Sequence, residues 1–269
     1  MAGQIDSTII RNPINDLDMS KSKNIDNILQ NWKYDPDRLN VRTCRGSDNR
    51  ELLQMRIDMG VLQLETKGRP DGDMPEGSET YLDHLVGLTF HEGDGFVMNE
   101  EQCYEVDREF VQFYHRRICW LQLNRFDRAV KDADHTLGLM DFCRVHSPDE
   151  QWTMSHEQYR PFVMFHRIQA SALAKLEENK GPESAIAEIN SGLEKMQELF
   201  EELGVEEQYE DDELIKRLIE LREDLRQKFE VGRTLEEQLA EAVESEQYEL
   251  AAELRDKIAR RFKQSKGAH

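Results

Sequence analysis

Phe113-Tyr-His-Arg-Arg-Ile-Cys-Trp-Leu-Gln-Leu-Asn-Arg-Phe-Asp-Arg-Ala-Val-Lys-Asp-Ala-Asp134 is the stretch on which the fold turns. Phe113, Arg117, Trp120 and Leu121, then Phe126, Ala129, Ala133 and Thr136, recur at the three- and four-residue spacing of a helix-turn-helix pair. Ala129 and Ala133 are small enough to let the second helix approach the first closely, and Trp120 fills the gap between them. Upstream, Asn99 and Gln102 have the spacing of a capping box, so a helix is predicted to start there. From Asn99 almost to the end the chain reads as helix.

The quoted stretch resembles a tetratricopeptide repeat, in degenerate form because Arg117 stands where that repeat prefers a small residue. A second copy begins near Phe162: Phe165, Ile168, Ala172, Leu173 and Leu176, a Gly181-Pro182 turn, then Ala185, Ile189 and Leu193. Between the copies Ser147-Pro-Asp-Glu150 is a helix start and Trp152 a plug. Two units fall short of the roughly three that a free-standing solenoid needs, so neighbouring elements must cover the exposed faces. The helix predicted over 212–230, with Leu214, Leu218, Leu221, Leu225 and Phe229 in a stripe, is the expected lid. The acidic run from Glu201 to Glu213 suits the dipole of a helix N-terminus; its alternative use is attraction of a basic partner.

Toward the N-terminus the signals change. Residues 1–24 mix Asp, Asn, Ser and Lys without periodicity and read as a flexible leader. Residues 25–95 read as a small α/β module, opened by a short helix (Ile25, Ile28, Leu29, Trp32) that Pro36 ends. Val41, Thr43 and Cys44 precede a Gly46-Ser-Asp-Asn turn, after which Leu53, Met55, Ile57, Met59 and Val61 alternate with polar residues. That pattern favours a β-hairpin or small sheet, with a helix over 51–64 as the alternative. The run Gly68-Arg-Pro-Asp-Gly-Asp-Met-Pro-Glu-Gly77 is a connector by composition, lacking the Gly-Lys-Ser/Thr ending of a phosphate loop. Residues 79–90 resume an amphipathic pattern, and the helical bundle is expected to span 99–230.

At the other end, Leu235, Leu239, Ala242 and Val243, then Tyr248, Ala251, Ala252, Leu254 and Ile258, mark two amphipathic helices separated by a three-residue break. Thr234 and Glu237 supply a capping box for the first, and Gly232 before it reads as a hinge. The pattern over 233–263, carried by Leu239, Ala242, Tyr248, Glu249, Ala251, Ala252, Leu254, Arg255, Asp256 and Ile258, resembles the UVR motif. Gln247 departs from it where an Asp is common. That resemblance implies a helical hairpin of the kind found in the bacterial excision-repair helicase and nuclease subunits, in Clp-type unfoldases and in adaptors of protein-arginine kinases. It further implies that the hairpin buries its stripe against another hairpin, in cis or in trans. Leu239, Ala242, Tyr248, Ala251, Ala252, Leu254, Arg255 and Ile258 are then the expected partner-binding residues.

Composition narrows the function. Charged residues make up 33% of the chain and the formal net charge is −20, the balance of an acidic helical protein and a poor one for holding phosphates unaided. The basic residues Arg255, Lys257, Arg260, Arg261, Lys263 and Lys266 form a C-terminal tip that suits either a helix dipole or a nucleic-acid backbone. No apolar run is long enough for a bilayer, and the four dispersed cysteines read as reduced thiols of a cytoplasmic protein, which the UVR resemblance further implies to be bacterial. No H-E-x-x-H, G-x-S-x-G or paired Cys/His pattern is present, so no catalytic residue, metal ligand or cofactor is expected. His84, His91 and Glu92 read as surface residues rather than ligands. The reading is of a mainly α, tetratricopeptide-like bundle with an N-terminal α/β module and a C-terminal docking hairpin, a non-enzymatic protein–protein adaptor. Its rivals are an enzyme using the Arg69-Pro-Asp71 loop with Arg56 and Asp58, and a nucleic-acid accessory protein.

Overall fold

The computed structural model describes residues 24–93, 95–178 and 181–266, so the leader over 1–24 lies almost wholly outside the described residues. The chain forms two compact units that divide at Leu64 and Glu65. It is mainly α, with a small N-terminal sheet and a helical pair at the C-terminus. No helix among the described residues is long and apolar enough to cross a membrane.

The first unit begins with α1 (Asp26–Asn31) and builds a sheet in the order β1 (Asn40–Arg45), β2 (Glu51–Ile57), β3 (Gly60–Glu65). β1 and β2 are antiparallel, with Arg42 opposite Gln54 and Cys44 opposite Leu52. The alternation from Leu53 to Val61 does not run through one strand: the chain turns at Asp58 and Met59, leaving Met59 in solvent. Leu52 through Arg56 are all buried, as expected for a central strand covered on both faces. A polar row crosses the sheet, Arg42 donating to Gln54 Oε1 (2.7 and 2.9 Å) and Gln54 to Gln63 Oε1 (3.0 Å), with Trp32 stacked on the Arg42 guanidinium. Arg56 donates to the carbonyls of Trp32, Ile57, Asp58 and Gly60.

The second unit opens with the 66–80 connector and α2 (Tyr81–Glu92), capped by Thr80. Then come α3 (Glu100–Gln122), α4 (Phe126–His146), α5 (Glu150–Glu157), α6 (Arg160–Glu177), α7 (Pro182–Glu202), α8 (Glu213–Phe229), α9 (Leu235–Glu244) and α10 (Tyr248–Lys266). Starts are set by side-chain caps: the Asn99–Gln102 capping box, Asp149 accepting from the Trp152 N–H, and Asp212 accepting from Leu214 and Ile215. α3 ends with Asn124 in the left-handed region (φ 54°), where the Arg125 N–H reaches the Trp120 carbonyl at 2.8 Å.

Packing runs serially, α3 on α4, α4 on α6, α6 on α7 and α7 on α8. Tyr81, Leu85, Val106, Phe110, Leu139 and Met140 lie in one core; Ile168, Ile186, Ile189, Met196, Ile215 and Leu218 lie in the next. Trp120 is buried as expected. Gly192 lets α6 and α7 touch, since a Cβ there would come within 2.5 Å of Ile168.

Polar side chains enter this interior in pairs. The Arg116 guanidinium donates twice to Asp132 (2.8 Å at the shortest) and also to the carbonyls of Glu65 and Gly68, tying the connector to the bundle. Glu109, 0% exposed, accepts from the N–H groups of Tyr81 and Leu82 at the start of α2 and bonds His135 at 2.9 Å. Arg117 reaches Thr136 and lies 3.4 Å from His166 Nδ1. Burial, and after it the charge of Arg117, pushes the His166 imidazole down to about 4.

An unfolded histidine titrates near 6.5. As pH falls the unfolded chain therefore binds this proton first; the penalty is absent above about pH 6.5, grows down to about pH 4 and is constant below. Between pH 7 and pH 5 it amounts to about 2 kcal/mol. Denaturant unfolding of His166→Gln should show the acid-induced loss reduced by that amount, and an identical loss in both proteins would contradict it.

Candidate functional site

The hairpin is built locally. Thr234 accepts from the Glu237 N–H (3.2 Å) and the Glu237 carboxylate accepts from the Thr234 N–H (2.7 Å), so α9 starts at a complete capping box. It ends in a Schellman turn: the Gln247 N–H reaches the Ala242 carbonyl at 2.7 Å and the Glu246 N–H reaches that of Val243 at 3.0 Å. The Gln247 carbonyl then accepts from Ala251, starting α10.

Glu246 holds the left-handed position with φ 56°, where glycine has no steric penalty. Glu246→Gly should therefore stabilise the hairpin by about 1 kcal/mol. Hydrogen-exchange protection of the α9 amides measures this, and protection that stays the same or falls would contradict the strain.

Leu235, Ala242, Ala251 and Leu254 are buried together, with Leu239 and Ile258 half-buried against them. Ala242 and Ala251 both belong to this core on either side of the turn, where their small size suits close approach of the helices. Of the eight residues expected to bind a partner, Leu239, Ala242, Ala251, Leu254 and Ile258 thus meet inside the hairpin. The six core residues cover part of the apolar stripe within the hairpin itself, while Val243, Tyr248 and Ala252 of the same stripe stay exposed. Tyr248, Ala252 and Arg255 lie on a different face, spaced four and three residues apart along α10 and open to solvent. Beside the turn, Val243, Tyr248 and Leu250 remain 52, 68 and 43% exposed. The signal for Leu250 lies in the sequence, where it precedes Leu254 by one helical turn, although it falls outside the motif's own apolar positions.

Charges frame the hairpin. Arg233 pairs with Glu241, and Arg255 with Asp256 at 3.1 Å. Burial alone would raise the Glu237 carboxyl, but the Thr234 N–H, the Asn190 amide and Arg226 outweigh it and hold the group below its ordinary value.

Residues 231–260 match the UVR family model, described as the UvrB/uvrC motif. The chain therefore carries a UVR motif, a kind of module that generally mediates protein–protein interaction. No curated protein and no solved structure matches the chain.

The remaining candidates are placed otherwise. Arg69 is buried and bound by Glu105 at 2.6 Å, and Asp71 accepts from Gln112 at 2.7 Å, so these side chains clamp the connector to α3. Arg56 serves carbonyls of the first unit. His84 sits against the Tyr81 ring, and the Glu92 side chain lies outside the described residues. Among the described residues no three His, Cys, Asp or Glu side chains are placed to hold a metal. In the basic tip, Arg255, Lys257 and Arg260 are exposed, while the side chains of Arg261, Lys263 and Lys266 lie outside the described residues.

Proposed function

We propose that the chain is a non-enzymatic adaptor whose UVR hairpin docks a protein partner, with the helical unit as its scaffold. The carrying observation is the division of labour in the hairpin: six side chains close its core, while Val243, Tyr248 and Leu250 stay exposed around the turn. An exposed aromatic flanked by aliphatics is the composition of an interface centre. Tyr248, Ala252 and Arg255 extend that surface along α10. The occupant we infer is a second hairpin of the same kind, from another protein or a second copy. Excision-repair and Clp-type components are the partners to try first. The serial helix pairs support a tetratricopeptide-like scaffold, with the α/β module before it. Free thiols at Cys44, Cys103, Cys119 and Cys143 fit a cytoplasmic setting.

The reading is tested with surface variants that keep the core intact. Tyr248→Asp together with Val243→Asp should preserve helix content by circular dichroism and lower partner capture or self-association at least roughly tenfold. Equal capture and equal mass by light scattering would remove it. The enzyme reading has less support, since Arg69 and Arg56 are both committed to structural partners.

A further inference from the structure

The hairpin's apolar core is separate from the cores of the bundle, and among the described residues the hydrogen bonds and ion pairs joining them meet on Glu237. One carboxylate oxygen accepts from the Thr234 N–H within the hairpin. The other accepts from Asn190 Nδ2 on α7 at 2.8 Å and from the Arg226 guanidinium on α8. Arg222 on α8 donates to Asn190 Oδ1 at 3.0 Å, which orients the amide toward Glu237. The intervening residues 231–234 have no regular secondary structure, and Gly232 is exposed with open space around it.

We propose that this junction is a latch, in which Glu237, Asn190 and Arg226 hold the hairpin on the bundle in one orientation and release it, still folded, when the contact opens. Three features suit a reversible contact. The hairpin keeps its own core and its own capping box when it moves, so opening exposes little apolar surface. The Glu237 and Arg226 side chains are each about one-fifth exposed, which leaves the pair open to competition from water and salt. Finally, among the described residues Arg226 Nε is buried without a hydrogen-bond partner and only approaches Glu223 Oε1 at 3.7 Å, a cost that the closed state carries and an open one relieves. The latch deepens the docking reading, because it sets how the exposed face around Tyr248 is presented.

The test separates orientation from folding. With Cys44 replaced by serine, spin labels at Glu220→Cys on α8 and Glu253→Cys on α10, both exposed, report the distance between bundle and hairpin by pulsed electron resonance. Glu237→Gln keeps a capping box, because glutamine serves at that position, but removes the charge facing Arg226. Arg226→Met leaves the cap untouched. A narrow distance distribution is expected for the parent and a roughly twofold broader one for both variants, with unchanged helix content. Broadening in both supports the latch even if no partner is captured, an outcome that would count against docking alone. A distribution that stays narrow in both overturns the latch whatever is captured. Broadening in Glu237→Gln alone also overturns it, since the effect would then belong to the cap.

Discussion

Replacing Asp132 with alanine should destabilise the helical unit by about 3–5 kcal/mol, because it leaves the Arg116 guanidinium charged and buried without its counter-ion. Both side chains are about 6% exposed and the pairing is bidentate, so water cannot substitute for the lost oxygens. Arg116 also donates to the Glu65 and Gly68 carbonyls, and its displacement would loosen the connector. A paired replacement, Arg116→Met with Asp132→Leu, removes the unpaired charge and should recover more than half of the loss. Denaturant unfolding measures both; a loss below about 1 kcal/mol in Asp132→Ala would contradict the role given to this pair.

Leu254→Glu is expected to unfold the hairpin and leave the bundle intact. A carboxylate in place of Leu254 has no partner among Leu235, Ala242, Ala251 and the flanking Leu239 and Ile258. Such burial costs several kcal/mol, more than a six-residue core in so small an element can offset. The bundle survives because its core residues, Tyr81 to Val163 and Phe165 to Leu225, belong to other clusters. Hydrogen exchange should show lost protection over 235–258 and unchanged protection in α6 to α8. Retained protection in α9 and α10 would contradict the packing. Loss of capture by this variant reports on folding, so the docking face is tested only with substitutions at Val243 and Tyr248.

The sequence was most legible where the cause of structure is local. Asn99, Asp149, Asp212 and Thr234 each cap the helix whose start they signal. The Gly46-Ser-Asp-Asn cluster turns β1 into β2, and Trp120 is buried where the helix pair needs bulk. Less legible was everything that depends on residues far apart. Arg69 meets Glu105 and Glu109, and Arg116 meets Asp132, across separations that no period in the chain encodes. Buried charges carry no sequence signal of their own, because the same residue types crowd the solvated surface. The turn at Asp58 and Met59 was hidden because apolar alternation continues through it. In the hairpin the motif gave the two helices and their stripe, while the direction each side chain faces came only from how α9 pairs with α10. The same holds for Glu237, whose spacing from Thr234 announces a cap and whose bonds to Asn190 and Arg226 require the folded bundle.

The surface around the hairpin turn, and not the hairpin core, is proposed to receive the partner. The most direct test is affinity capture by the full chain from native lysate, with chemical crosslinks mapped on both proteins, beside the folded Val243→Asp, Tyr248→Asp variant. Crosslinks from the captured protein to residues near 243–255 are expected, with a loss of at least roughly tenfold in the variant. Equal capture by both proteins, or crosslinks confined to the bundle, would contradict it.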